Sequence, residues 1–161
     1  MIAELFTVAG TGSLPVWQID LAVLNANSSL PTFTASIWTD VGGLPGVQVP
    51  GAFWNASTPY VVGTCCSLVS IQGITNVTLT GGSQYFLTLA PVNLSDSGLN
   101  VWAYNSVGAT ATYLDSVDGA ASWIVEPNQP ATAFDVLSTP EPTTTALLGL
   151  GFIAVMISRR R

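Results

Sequence analysis

Lysine and histidine are both missing from this sequence, and its three basic residues, Arg159, Arg160 and Arg161, are the last three of 161. Residues 1–158 therefore carry all nine acidic side chains and no basic one. A folded surface without Lys or Arg cannot neutralise a run of phosphates, which excludes a nucleic-acid partner. The absence of His removes Ser-His-Asp triads, Cys-His dyads and most catalytic zinc sites. Charged residues are scarce too, at 7% of the chain against roughly 25% in an average soluble protein. Ion pairs cannot hold such a domain together, so burial and backbone hydrogen bonding must. Cysteine is limited to adjacent Cys65 and Cys66, which cannot staple distant parts of the chain. Their Cα atoms sit about 3.8 Å apart across a trans peptide, short of the usual disulfide span, so two small thiols on a strand or loop are expected and a vicinal bridge is the alternative.

What is present is apolar and rich in turn formers. Hydrophobic residues make up 48% of the chain and five residues are Trp, enough to build one core at this length. Sustained helical periodicity is missing before Thr143. Short alternating stretches recur instead: Trp17, Ile19, Leu21 and Val23 against Gln18, Asp20 and Ala22; Phe33, Ala35 and Ile37 against Thr34, Ser36 and Trp38; Tyr85, Leu87 and Leu89 against Thr88, with Phe86 making the second face apolar as well. Further strands are expected at 75–80, 101–105, 111–114, 121–125 and 133–137, about eight in all. Between them stand Gly42-Gly43-Leu44-Pro45-Gly46, Gly81-Gly82, Ser97-Gly98 and Asp118-Gly119, each a turn former. The pattern predicts an all-β domain over 1–137, a two-sheet antiparallel β-sandwich of jelly-roll-like kind.

Chemistry is sparse in that domain. A glycosidase-like carboxylate pair would have to come from scattered Asp and Glu whose simpler role is solubility. Asp115-Ser-Val-Asp118-Gly119 and Asn93-Leu-Ser-Asp96 offer oxygen atoms, but their spacing matches no EF-hand loop, so neither a metal nor a cofactor is expected. Trp38, Trp54, Trp102, Trp123 and Tyr104 are the candidates for stacking on sugar rings. Trp102 and Tyr104 share one face of an expected strand with Asn105 beside them, so these three form the candidate glycan-binding group. The pairs Thr32/Thr34, Thr78/Thr80 and Thr110/Thr112 have no common period, which argues against an ice-binding face.

The end of the chain is the most specific part. Thr139-Pro140-Glu141-Pro142 is followed by Thr143–Thr145, then the apolar run Ala146–Ile157, Ser158 and the three arginines. Pro140 and Pro142 force extended backbone and stop a helix from running back into the domain. A helix over 143–158 would be about 24 Å long, short of a roughly 30 Å hydrocarbon core, so it spans only with local thinning or with the arginines snorkelling. The terminal arginines favour the cytoplasmic side, which puts the domain outside the cytoplasm.

This order of Pro-Glu-Pro, short apolar helix and terminal Arg cluster resembles the PEP-CTERM sorting signal, whose tails also circulate under an ice-binding label. The resemblance implies that 138–145 is a linker and recognition motif centred on Pro140, Glu141 and Pro142. It further implies that 146–161 is a transient anchor in the inner membrane, with Arg159, Arg160 and Arg161 as its stop signal. Its implied partner is an exosortase, a membrane cysteine peptidase, and its implied destination is the bacterial cell surface or an extracellular matrix rich in exopolysaccharide. The chain would be the substrate of that chemistry. The body, through Trp17–Leu24, Ile37–Gly46, Leu79–Leu89 and Val101–Asn105, is similar to choice-of-anchor R domains, which bring no catalytic residue with them. Met1-Ile-Ala-Glu-Leu-Phe has neither a basic nor an apolar leader region, so the true start is expected upstream. Two other readings stand beside this one: a secreted carbohydrate-active enzyme, and an ordinary membrane-anchored structural protein that is never cleaved.

Overall fold

The computed structural model describes residues 1–25, 32–58, 66–92 and 100–138. Among the described residues eleven strands follow one another: β1 (Ile2–Thr7), β2 (Ser13–Asn25), β3 (Thr32–Asp40), β4 (Pro45–Ser57), β5 (Ser67–Gln72), β6 (Thr78–Thr80), β7 (Gln84–Pro91), β8 (Asn100–Trp102), β9 (Thr110–Asp115), β10 (Ile124–Pro130) and β11 (Phe134–Ser138). The all-β expectation holds, in two antiparallel sheets. Three strands were not legible. β4 is interrupted by Pro50 and Gly51 and opens on Pro45-Gly46, which read as turn; β1 and β5 are each only 6 residues long. The apolar helix expected over 146–158 lies outside the described residues. Among the described residues no helix is long and apolar enough to cross a membrane.

The larger sheet has the order β10-β9-β1-β7-β3-β4. The smaller one is built on β2 as a spine. One side of β2 pairs first with β6 and then with β5, linked by Val16 N–H to Val77 O at 2.9 Å and Ile74 N–H to Trp17 O at 3.2 Å. The other side pairs with β8 and then β11, which hand over at Ala22: its carbonyl accepts from Ala103 N–H and its N–H donates to Ala133 O.

The main core lies between the sheets, where Ile19, Leu21 and Val23 meet Phe33, Ala35, Ile37 and Leu87, with Trp102 among them. The expected alternation on β3 is realised, but the one on β2 slips. Val16 is buried and Trp17 is 36% exposed, because the register with β11 passes from Gln18↔Leu137 to Val16↔Ser138 and skips Trp17. A bulge of this kind inverts the faces on either side of it. The outer face of the larger sheet is apolar too, as Phe86 announced: Ala3, Phe86 and Leu114 form a second cluster under Leu5, Trp38 and Trp123. Ser36 and Thr88 are buried on that face and satisfy each other through their hydroxyls at 2.6 Å, with Trp38 Nε1–H donating to Ser36 Oγ at 2.9 Å.

Cys66 corrects the thiol reading. It is disulfide-bonded, with φ at +32°; Cys65 lies outside the described residues.

Candidate functional site at the strand that carries the tail

β11 is the last described element, and its position fixes where residues 139–161 leave the body. Its five residues pair with β2 along Leu21↔Phe134 to Val16↔Ser138. Phe134 anchors it inward, with its ring 5.3 Å from that of Trp102 and 5.8 Å from that of Phe6, edge-on to the latter. Such contacts add to area burial when centroids lie within about 4.5–7 Å. Phe6 in turn meets Tyr85 at 6.1 Å, so a file of four aromatic rings ties β11 across to the larger sheet.

Ser138 borders a half-open cleft of about 330 Å³ lined by Phe6, Val8, Leu14, Leu79, Phe134 and Val136, and also by Asp135 and Thr7. Two turns frame it, Val8–Gly12 and Gly81–Ser83. They are bonded to each other by Gly81 N–H to Gly12 O at 2.8 Å, Gly82 N–H to Val8 O at 2.8 Å and Val8 N–H to Ser83 O at 3.0 Å. Glycine is required at 81, where a Cβ would meet the Gly10 carbonyl at 2.7 Å. No residue of either turn is ionisable.

The expected glycan-binding group does not assemble. Trp102 is 3% exposed and donates its Nε1–H to Ala133 O at 3.3 Å, so its ring belongs to the core. Tyr104 is 53% exposed. Asn105 is occupied by its own loop: its amide donates to Ala109 O and Ala131 O at 2.9 and 2.7 Å, and its Oδ1 accepts from Val107 and Ala109 N–H. The alternation that put Trp102 and Tyr104 on one face ends at Trp102, where β8 stops and Ala103 crosses to Ala22 and Ala133. Pro140, Glu141, Pro142 and Arg159–Arg161 lie outside the described residues.

Two carboxylates that sequence could not place are bound by the protein itself. Glu4 is 4% exposed, and its Oε2 accepts from Thr132 N–H at 2.7 Å and Thr132 Oγ1–H at 2.6 Å. Burial pushes its carboxyl above the usual carboxylate range, and the Thr132 hydrogen bonds oppose that rise. The contact joins the first strand to the segment entering β11 across 128 residues, a separation that no local pattern reveals. Asp118 accepts from Ser122 Oγ and N–H and from Ser116 Oγ at 2.5–2.9 Å. These donors, Ser122 first, hold its carboxyl down to about 2. Asp118 thus closes its own loop. Among the described residues no group of three or more His, Cys, Asp or Glu is placed to hold a metal.

The tail itself decides the identification. Residues 138–161 match the PEP-CTERM protein-sorting motif. The PEP-CTERM match begins at Ser138, the residue that ends β11. The motif indicates an exported protein that is sorted through an exosortase at the membrane and directed to the cell surface. Comparison with curated proteins and with solved structures gave no match.

Proposed function

We propose that this chain is a non-enzymatic surface protein, an all-β body displayed outside the cell after an exosortase-type peptidase has handled its PEP-CTERM tail. The observation that carries this reading is the motif match at 138–161, placed directly after the last strand of a folded domain. The absence of His supports the non-enzymatic part, and so do Glu4 and Asp118, whose carboxylates are held by the protein's own donors. The test is localisation of the full chain in its native host with and without the sorting peptidase. Release to the surface or medium in the parent, and retention in the membrane fraction with Arg161 still present in the deletion strain, is the expected result. Identical distribution in both strains would leave an ordinary membrane anchor.

Contact with exopolysaccharide is a second reading, moved from Trp102 to the outer face of the larger sheet. Phe53 is 50% exposed there, and Trp38 and Trp123 are half-buried over the second cluster. Exposed aromatic rings beside neutral hydroxyl and amide groups suit an uncharged sugar chain. Phe53→Ala should lower retention of the protein on native exopolysaccharide without altering its melting temperature; unchanged retention would remove this reading.

A further inference from the structure

The segment joining body to motif is short enough to make the body a participant in sorting. From Ser138, paired in the sheet, to Glu141 is three residues, which span at most about 10–11 Å fully extended. The radius of gyration expected for a domain of this size is about 14 Å. A peptidase that holds Glu141 in its active site therefore cannot avoid the end of the sandwich from which Ser138 emerges. The apolar run begins at Ala146, eight residues on, so the same end stays within about 26–29 Å of the hydrocarbon core, and the polar layer takes up about 5–8 Å of that.

We propose that this end of the sandwich, the cleft beside Ser138 with the turns Val8–Gly12 and Gly81–Ser83, is a docking surface for the outward face of the sorting peptidase. The proposal rests on the sorting reading above and adds a second contact to the tail. Two features fit the surface to such a partner. The cleft is mainly apolar, walled by Phe6, Val8, Leu14, Leu79, Phe134 and Val136 with Thr7, Asp135 and Ser138 as its polar lining, and so accepts apolar side chains from a protein standing at a membrane interface. The two turns are bonded to each other, so the surface is pre-formed and docking orders little new chain.

The test follows tail removal in the native host by pulse labelling and C-terminal mass, using the full chain. One variant inserts ten Gly and Ser residues between Ser138 and Thr139. A second carries Ala9→Asp with Thr11→Asp, both exposed positions on the first turn. A third, Ser57→Asp, adds a charge at the far end as a control. Docking predicts tail loss slowed at least about fivefold in the first two, the scale of removing an interface contact, and unchanged in the third, with melting temperatures equal throughout. A spacer variant processed as fast as the parent, or faster, would show that the body only obstructs the enzyme and would overturn the proposal. Normal processing of the Ala9→Asp/Thr11→Asp variant would overturn it equally. An uncut parent chain would instead remove the sorting reading beneath it.

Discussion

Replacing Trp102 with Ala separates a core residue from a ligand platform. The indole is 3% exposed, sits 5.3 Å from Phe134 and donates to Ala133 O. Truncation exposes or empties about 150–250 Å² of aromatic surface, which at 25 cal/mol per Å² corresponds to roughly 4–6 kcal/mol; measured Trp or Phe to Ala changes in cores fall at about 3–5 kcal/mol. Against a total stability of about 5–15 kcal/mol, that is a large share. With a urea m-value of about 1.5–2 kcal/mol/M, the midpoint should fall by roughly 1.5–3 M. Trp102→Phe keeps the contact with Phe134 and loses only the indole's outer ring and its N–H bond, so it should lose less than half as much. Urea unfolding of the three proteins, followed by far-ultraviolet dichroism, reads this directly. A change below about 1 kcal/mol, accompanied by loss of polysaccharide retention, would refute the core assignment and restore the platform.

The buried Glu4 makes stability depend on pH with a definite sign. Its folded-state pKa is raised, so the folded protein holds this proton more tightly than the unfolded chain does. Its contribution is fully present below the unfolded value near 4.5 and declines as pH rises through the folded value. Glu4→Gln, which keeps an acceptor for Thr132, should flatten that decline in urea melts taken between pH 4 and 8; an unaltered slope would contradict it. Gly81→Ala drives a Cβ to 2.7 Å from Gly10 O and should destabilise by about 1–3 kcal/mol, seen as a lowered melting temperature, whereas Gly73→Ala meets no such contact and loses only what its positive φ demands. Cys66, being disulfide-bonded, should resist alkylation in denaturant until reductant is added; labelling without reductant would contradict that state.

The sequence disclosed those parts of the fold that depend on near neighbours. Phe33, Ala35 and Ile37 alternate and are buried; Gly81-Gly82 marked a turn and is one. The phase of β2 failed at Trp17 because a bulge is decided by the neighbouring strand, and β11 lies more than a hundred residues away. β4 was hidden because Pro45-Gly46 reads locally as turn and Pro50 breaks the strand pattern, while β4 is an edge strand of its sheet, where a missing N–H is tolerated. Trp102 is more instructive. Local alternation gave it a face, but not which face is covered, and the cover is Phe134 on a strand that arrives last. The sorting motif over 138–161 was legible because its three blocks differ in elementary chemistry: stiff Pro-Glu-Pro, apolar run, arginines. The cleft and the bonded turns beside Ser138 were not, since they exist only once β1, β2, β6 and β11 have come together.

The most direct test of the central claim is the C-terminal mass of the protein recovered from the native host's envelope and medium, set beside a variant with Pro140, Glu141 and Pro142 all replaced by Ala. The sorting account predicts loss of the tail near Pro140–Pro142 in the parent alone. An intact chain ending at Arg161 in both would contradict it and leave residues 146–158 as a plain anchor.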